Sequence, residues 1–203
     1  MPFKISKKYT NIHWTELNLV TDKSDGWING ISIIKDRFNS RFFDQINNVK
    51  IDPFSGFIVM SIDCLLIETL MQFYLGVDDT EFNYKGVQWK AFRDFFKNSI
   101  YFKSEFKTNS ICKTFYTQFR CGLLHQAQTK KKSLIKINQP KLLKLINPLD
   151  AGAGLIIDRV QFHDNLVLEF QHFIQKLKDN ENNFLGNNLR INAALKMNLL
   201  CIE

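Results

Sequence analysis

The sequence contains no Cys-x-x-Cys pair; its four cysteines, Cys64, Cys112, Cys121 and Cys201, are scattered along 203 residues. That spacing excludes a zinc finger or ribbon, and His163 and His172 bring no cysteine pair with them, so no metal site is expected. Three of the cysteines stand in apolar, helix-like surroundings and Cys121 stands beside a charged residue. They read as thiols of a reducing compartment, where cysteine serves as a small buried hydrophobe. No apolar run is expected to span a membrane, because Asp63 and Glu68 interrupt the most apolar stretch. Lys4, Lys7 and Lys8 are not followed by an apolar segment, so no signal peptide is expected and the cytoplasm is the expected location. There is no internal repeat, no low-complexity tract and no phosphate-binding G-x-x-x-x-G-K-[ST] loop; Gly152 and Gly154 stand alone, and no cofactor is expected.

What is present suits a globular chain. Hydrophobic residues make up 45%, which excludes wholesale disorder, and the length allows a substantial core without disulfides or metals. Nineteen phenylalanines predict a Phe-rich core. The net charge of +7 favours polyanionic partners only modestly.

Periodicity predicts a mainly α fold. Apolar residues at Ile33, Ile34, Phe38, Phe42 and Ile46 are spaced for a helix from Ile31 to about Val49. Asp52 and Pro53 mark a break, and Phe54 to Leu75 reads as a mostly buried helix stopped by Gly76. Further helices are expected at Trp89–Phe102, Ser110–Thr129, Phe162–Lys178 and Asn188–Cys201. Between the fourth and fifth of these six, alternation at Ser133–Asn138 and the branched run Leu155–Val160 predict a small β-hairpin or strand pair, with a turn at Gly152–Gly154. Residues 1–203 are expected to form one domain, its core about 29–178, with 1–28 and 179–203 as extensions.

The segment from Phe115 to Ala127 contains Arg120 and His125 with four residues between them. Chemically, a histidine can move the proton of an RNA 2′-hydroxyl near neutral pH. An arginine can hold the phosphate oxygens and offset charge as it grows, so no metal is needed. The pattern resembles the R-x4-6-H signature of the HEPN superfamily, small helical proteins that include toxin and antiphage ribonucleases. Asp63 and Glu68 fit as well, since these proteins often carry an acidic residue on the helix packed against the R-x4-6-H helix. The resemblance spans about residues 54–178 in helix order and implies a HEPN-like helical bundle. It departs at Cys121, where family members commonly carry Asn or Asp after the arginine, and this bears on catalytic competence.

The resemblance implies a metal-independent endoribonuclease leaving 2′,3′-cyclic phosphates and 5′-hydroxyls, in a toxin–antitoxin or antiphage setting. Arg120 and His125 would carry the reaction, Asp63 would orient Arg120, and Glu68 would support it. RNA is the implied substrate, a homodimer with two motifs across a two-fold axis the implied assembly, and an antitoxin protein a further implied partner. The residues leave alternatives open. Arg120 would salt-bridge Asp63 or Glu68 structurally, and His125 would cap or pack, in a non-catalytic module binding RNA, a nucleotide or a protein, or in a structural dimerisation domain. Lys130, Lys131 and Lys132 are read either as a solvated helix end or as a phosphate-binding rim. For His163 a core hydrogen bond is favoured, and for Phe92, Phe95, Phe96, Phe102 and Phe106 a core position. On an ideal helix, positions five apart differ by about 140° and rise about 7.5 Å. Arg120 and His125 therefore converge only if the arginine reaches back or the helix is distorted, which Gly122 would permit, as it would the close approach of a second helix.

Overall fold

The structure, a computed structural model, describes residues 1–147 and 153–202. It is mostly helical with one small sheet. In chain order the helices are α1 (Asn11–Thr15), α2 (Trp27–Phe38), α3 (Asp44–Val49), α4 (Gly56–Leu75), α5 (Glu81–Tyr84), α6 (Trp89–Asn98), α7 (Asn109–Phe115), α8 (Cys121–Gln126), α9 (Arg159–Lys178) and α10 (Leu189–Ile202). The strands β1 (Leu134–Lys136), β2 (Leu143–Ile146) and β3 (Gly154–Asp158) lie between α8 and α9. The chain forms two compact units, one of Met1–Gln45, Thr69–Phe82 and Phe170–Glu203, the other of Ile46–Glu68 and Asn83–Glu169.

The helix predicted over Ile31–Val49, which belongs to the first unit as far as Gln45, is continuous but starts earlier, and a π turn over Asn39–Phe43 joins α2 to α3. A π turn inserts one residue into the helical ladder and so advances the phase. Hence Phe43 is buried and the expected Phe42 is only partly covered, while Ile33, Ile34, Phe38 and Ile46 are buried as the spacing predicts. Phe38 stacks on Phe170 with centroids 4.6 Å apart, and Phe73 meets Phe173 edge-on. The two ends expected to be extensions supply core to this unit: Trp14, Trp27, Leu189 and Met197 are buried, and Trp14 Nε1 donates to Asn198 at 2.7 Å. Gly76 ends α4 as expected, with φ +70°; a Cβ there would also stand 3.0 Å from the Asn192 backbone.

The second unit is built around phenylalanine. Phe92, Phe95, Phe96, Phe102, Phe106, Phe115, Phe119 and Phe162 are all buried. Phe96 stacks on Phe106 at 3.7 Å, and Phe115 lies nearly parallel to both Phe119 and Phe162 at 5.2 Å. The phenylalanines from Phe92 to Phe106 are therefore core. Helix α6 stops at Asn98, short of the expected Phe102, because Ser99 turns extended; its hydroxyl donates to Glu169 at 2.6 Å and accepts from the Tyr101 and Phe102 amides. Ile100, expected inward, is exposed in consequence, and Phe102 takes the core place.

Helix α4 is mostly buried, as expected: Met60, Cys64 and Ile67 are covered, while Phe57, Ile58 and Leu65 on the other side are 47%, 63% and 40% exposed. Contrary to expectation, α4 is by length and composition apolar enough to cross a membrane despite Asp63 and Glu68; a little over half of its most apolar stretch is buried inside the protein.

The two expected strands are present as β1 and β3, but they pair in parallel and so form no hairpin; the antiparallel partner of β3 is β2, which the sequence reading did not predict, giving the order β1-β3-β2. The expected turn at Gly152–Gly154 begins outside the described residues. Asp158 ends β3 and starts α9: Oδ1 accepts from the amides of Val160 and Gln161 at 3.0 Å, a capping arrangement that satisfies the helix's first donors. Arg159 donates to the carbonyls of Lys50 and Asp52 and so holds the turn that leads into α4.

Because Phe115 touches Phe92, Phe96, Phe106, Phe119 and Phe162, truncation to alanine leaves a cavity that rigid rings cannot fill. Phe115→Ala is expected to cost roughly 3–5 kcal/mol, read as a lowered midpoint in urea denaturation.

Candidate active site

Arg120 and His125 lie on the helix running from α7 through a π turn, Tyr116–Arg120, into α8. This is the distortion that an ideal helix lacks. In the wide turn the Cys121 amide bonds the Tyr116 carbonyl, five residues back. The Gln118 carbonyl is taken instead by the Lys130 amide at 2.9 Å. The buried Gln118 side chain ties the turn to the sheet: its amide donates to the Ala153 carbonyl at 2.8 Å and its oxygen accepts from Ser133 at 2.6 Å.

The result brings the two residues together. Arg120 Nη1 lies 3.3 Å from His125 Nε2. Arginine has no acceptor, so Nε2 accepts and the ring proton sits on Nδ1. The other side of the guanidinium is held by Glu68, with Nε to Oε1 at 2.8 Å and Nη2 to Oε2 at 3.1 Å. This two-pronged grip fixes the plane of the fork. Burial works against the Arg120 charge, but the Glu68 hydrogen bonds and charge overcome it and raise the pKa above its ordinary value. The Tyr116 ring lies beneath the guanidinium, 5.7 Å from centroid to carbon. Burial, then the adjoining Cys121, push the Tyr116 hydroxyl up to about 12, against the pull of Arg120. Three of the five guanidinium N–H donors are thus engaged and two remain. His125 is exposed, so a ligand can reach it.

Asp63 does not orient Arg120, contrary to expectation. It lies wholly buried and pairs with His163, Oδ1 to Nδ1 at 2.8 Å. The reason is helical phase: Asp63 and Glu68 are five apart on α4, about 140° around the axis, so one faces the core while the other faces Arg120. His163 has the core hydrogen bond that its setting suggests. Burial raises the Asp63 pKa, His163 opposing it, and Oδ2 has no hydrogen-bond partner among the described residues.

The helix ends at Gln126, before the expected Thr129, because Ala127 turns left-handed at φ +53° and its amide bonds back to Gly122 and Leu123. Lys130, Lys131 and Lys132 therefore lie in the following loop and do not cap a helix end. This loop, and not a second helix, is what approaches Gly122: a Cβ there would stand 2.5 Å from the Gln128 carbonyl oxygen and 3.3 Å from Lys130 Cγ. Lys130 and Lys131 line a cleft of about 480 Å³ together with Lys113 and Gln118; Lys132 is exposed outside it. Cys121 is half-buried beside Arg120, whereas the other three cysteines are buried. Among the described residues, no group of three or more His, Cys, Asp or Glu could hold a metal ion.

Tyr116 and the leading part of Glu68 are missing from the sequence reading. Tyr116 is four residues before Arg120, a spacing that places neighbours on one helix face and was legible. No protein-family model matches this chain, and neither a curated protein nor a solved structure matches it.

In an ordinary helix interior Gly→Ala gains about 1 kcal/mol. Here the added methyl meets backbone oxygen, so Gly122→Ala is expected to reverse that sign and lower the thermal midpoint, with faster amide exchange over residues 127–130 as the second readout.

Proposed function

We propose that this chain is a metal-independent endoribonuclease of the HEPN type, with Arg120 and His125 as its catalytic residues. The observation that carries the reading is the 3.3 Å contact in which Arg120 donates to His125 Nε2, setting an exposed histidine beside a fixed cation. In the reaction the Arg120 hydrogen bond to Nε2 gives way as Nε2 takes the 2′-hydroxyl proton, the 2′-oxygen attacks phosphorus and the bond to the 5′-oxygen breaks. The two spare Arg120 donors hold the non-bridging oxygens as charge grows. Glu68 positions Arg120, and Lys130 and Lys131, with Lys132 beside them, receive flanking phosphates.

In-line displacement sets the entering and leaving oxygens on opposite sides of phosphorus. A second His125, from a second copy across a two-fold axis, is then the natural donor to the 5′-oxygen. The exposed apolar stripe of Phe57, Ile58 and Leu65 on α4, continuing towards Glu68, together with exposed Leu124 beside His125, supports a homodimer at this face. A toxin or antiphage role in the cytoplasm, with an antitoxin as partner, follows from the same reading.

A second reading is a non-catalytic module binding RNA, a nucleotide or a protein. Cys121 favours it, and so does the capture of three Arg120 donors within the chain.

End-labelled mixed RNA in EDTA distinguishes the two. Wild type is expected to leave cyclic phosphates, and His125→Ala to lower the rate by about 10²–10⁴-fold while remaining folded. Retained RNA affinity without turnover in both proteins supports the binding module. Ile58→Lys with Leu65→Lys is expected to convert a dimer to monomer in sedimentation and to abolish cleavage with it.

A further inference from the structure

The second unit holds a cavity that neither Arg120 nor His125 lines. It has a volume of about 570 Å³, within the range of roughly 300–1,000 Å³ usual for small-molecule sites. Its floor is aliphatic, made by Ile111 of α7, Leu143 and Leu145 of β2 and Ile156 of β3. Its rim carries Lys107, Lys141 and Lys144, all exposed, against the single carboxylate of Glu105. None of the three lysine side chains takes part in a hydrogen bond or an ion pair with another described residue.

An aliphatic floor under an uncompensated positive rim is complementary to a ligand with an apolar body and an anionic head. The lining narrows the class further. No lining residue is aromatic, so there is no face on which a nucleobase would stack. Of the neutral polar side chains there, Gln139 already donates its amide to the Ile137 carbonyl, which leaves little to read a base edge. Lysine ammonium groups act as point charges and hold a carboxylate or a phosphate equally well.

We propose that this cavity is a binding site for a single aliphatic chain ending in a carboxylate or phosphate. The chain lies along Ile111, Leu145 and Ile156, and the head group sits between Lys141 and Lys144. A mixed apolar and ionic contact of this kind weakens with added salt through its head group and with chain shortening through its body.

Titration calorimetry with dodecanoate and with dodecyl phosphate, both below their micellar concentrations, tests the site on the full chain. One equivalent per chain is expected for at least one of the two, and the tighter one identifies the head group. Dodecyltrimethylammonium, with the same tail and opposite charge, is expected to bind at least tenfold more weakly. The surface pair Lys141→Glu with Lys144→Glu, and separately Ile111→Glu, are each expected to weaken binding at least tenfold. His125→Ala is expected to bind as wild type does, which separates this site from the proposed nuclease centre. Circular dichroism checks the fold; if Ile111→Glu unfolds, the surface pair decides alone. Absence of binding by both anions, equal binding of the cationic amphiphile, unchanged affinity in the lysine pair, or displacement of the bound chain by AMP would each overturn the proposal.

Discussion

The second unit depends on one extra residue in a helix. Between Tyr116 and Arg120 the chain makes a π turn, and everything that follows on that helix is rotated and displaced relative to a regular α-helix. The turn frees the Gln118 carbonyl, which the Lys130 amide takes up, and the returning loop crosses the helix at Gly122 where no side chain stands in the way. The same phase change directs Arg120 towards Glu68 and within reach of His125. The loop geometry, the exposed histidine and the paired guanidinium are thus consequences of one local departure, stabilised by the tie from Gln118 through Ser133 to the sheet.

Rigid aromatic packing makes such a departure tolerable. Phe115 precedes the π turn and Phe119 lies within it, the two stacked on each other, and Phe115 also stacks on Phe162 of α9. A core of interlocked rings resists rotation of any one helix, since each shift would open a void beside several neighbours. The first unit uses the same device on a smaller scale: its own π turn buries Phe43 against Phe38 and Phe170, while Phe42 meets Phe38 from a partly covered position.

The two carboxylates of α4 show how one helix can serve core and site together. Asp63 is sealed with His163 at no exposure, an arrangement in which each partner's polar group depends on the other for compensation. Glu68, five residues later, remains partly exposed and holds Arg120 with both oxygens. A charge held this way keeps the guanidinium plane fixed and its remaining donors outward, a useful property for recognising an anion whether or not a bond is then broken.

Much of this was open to reading from the amino-acid order alone. Helical spacing located the principal helices, Gly76 marked the end of α4, the phenylalanine content announced the core, and Arg120 with His125 stood out as a chemical pair. These features depend on periods of a few residues and on side-chain type, which any chain displays locally. The tertiary structure determined the rest. It chose Glu68 over Asp63 for Arg120, because that choice depends on the phase of α4 against a helix some fifty residues away. It paired β1 with β3 in parallel, added the unpredicted β2 on the other side of β3, and drew Trp14 from a polar-looking N-terminal stretch into a core. It also placed the π turn, whose cost is met by Lys130, Ser133 and Ala153, residues that become neighbours of Gln118 only after the chain has folded.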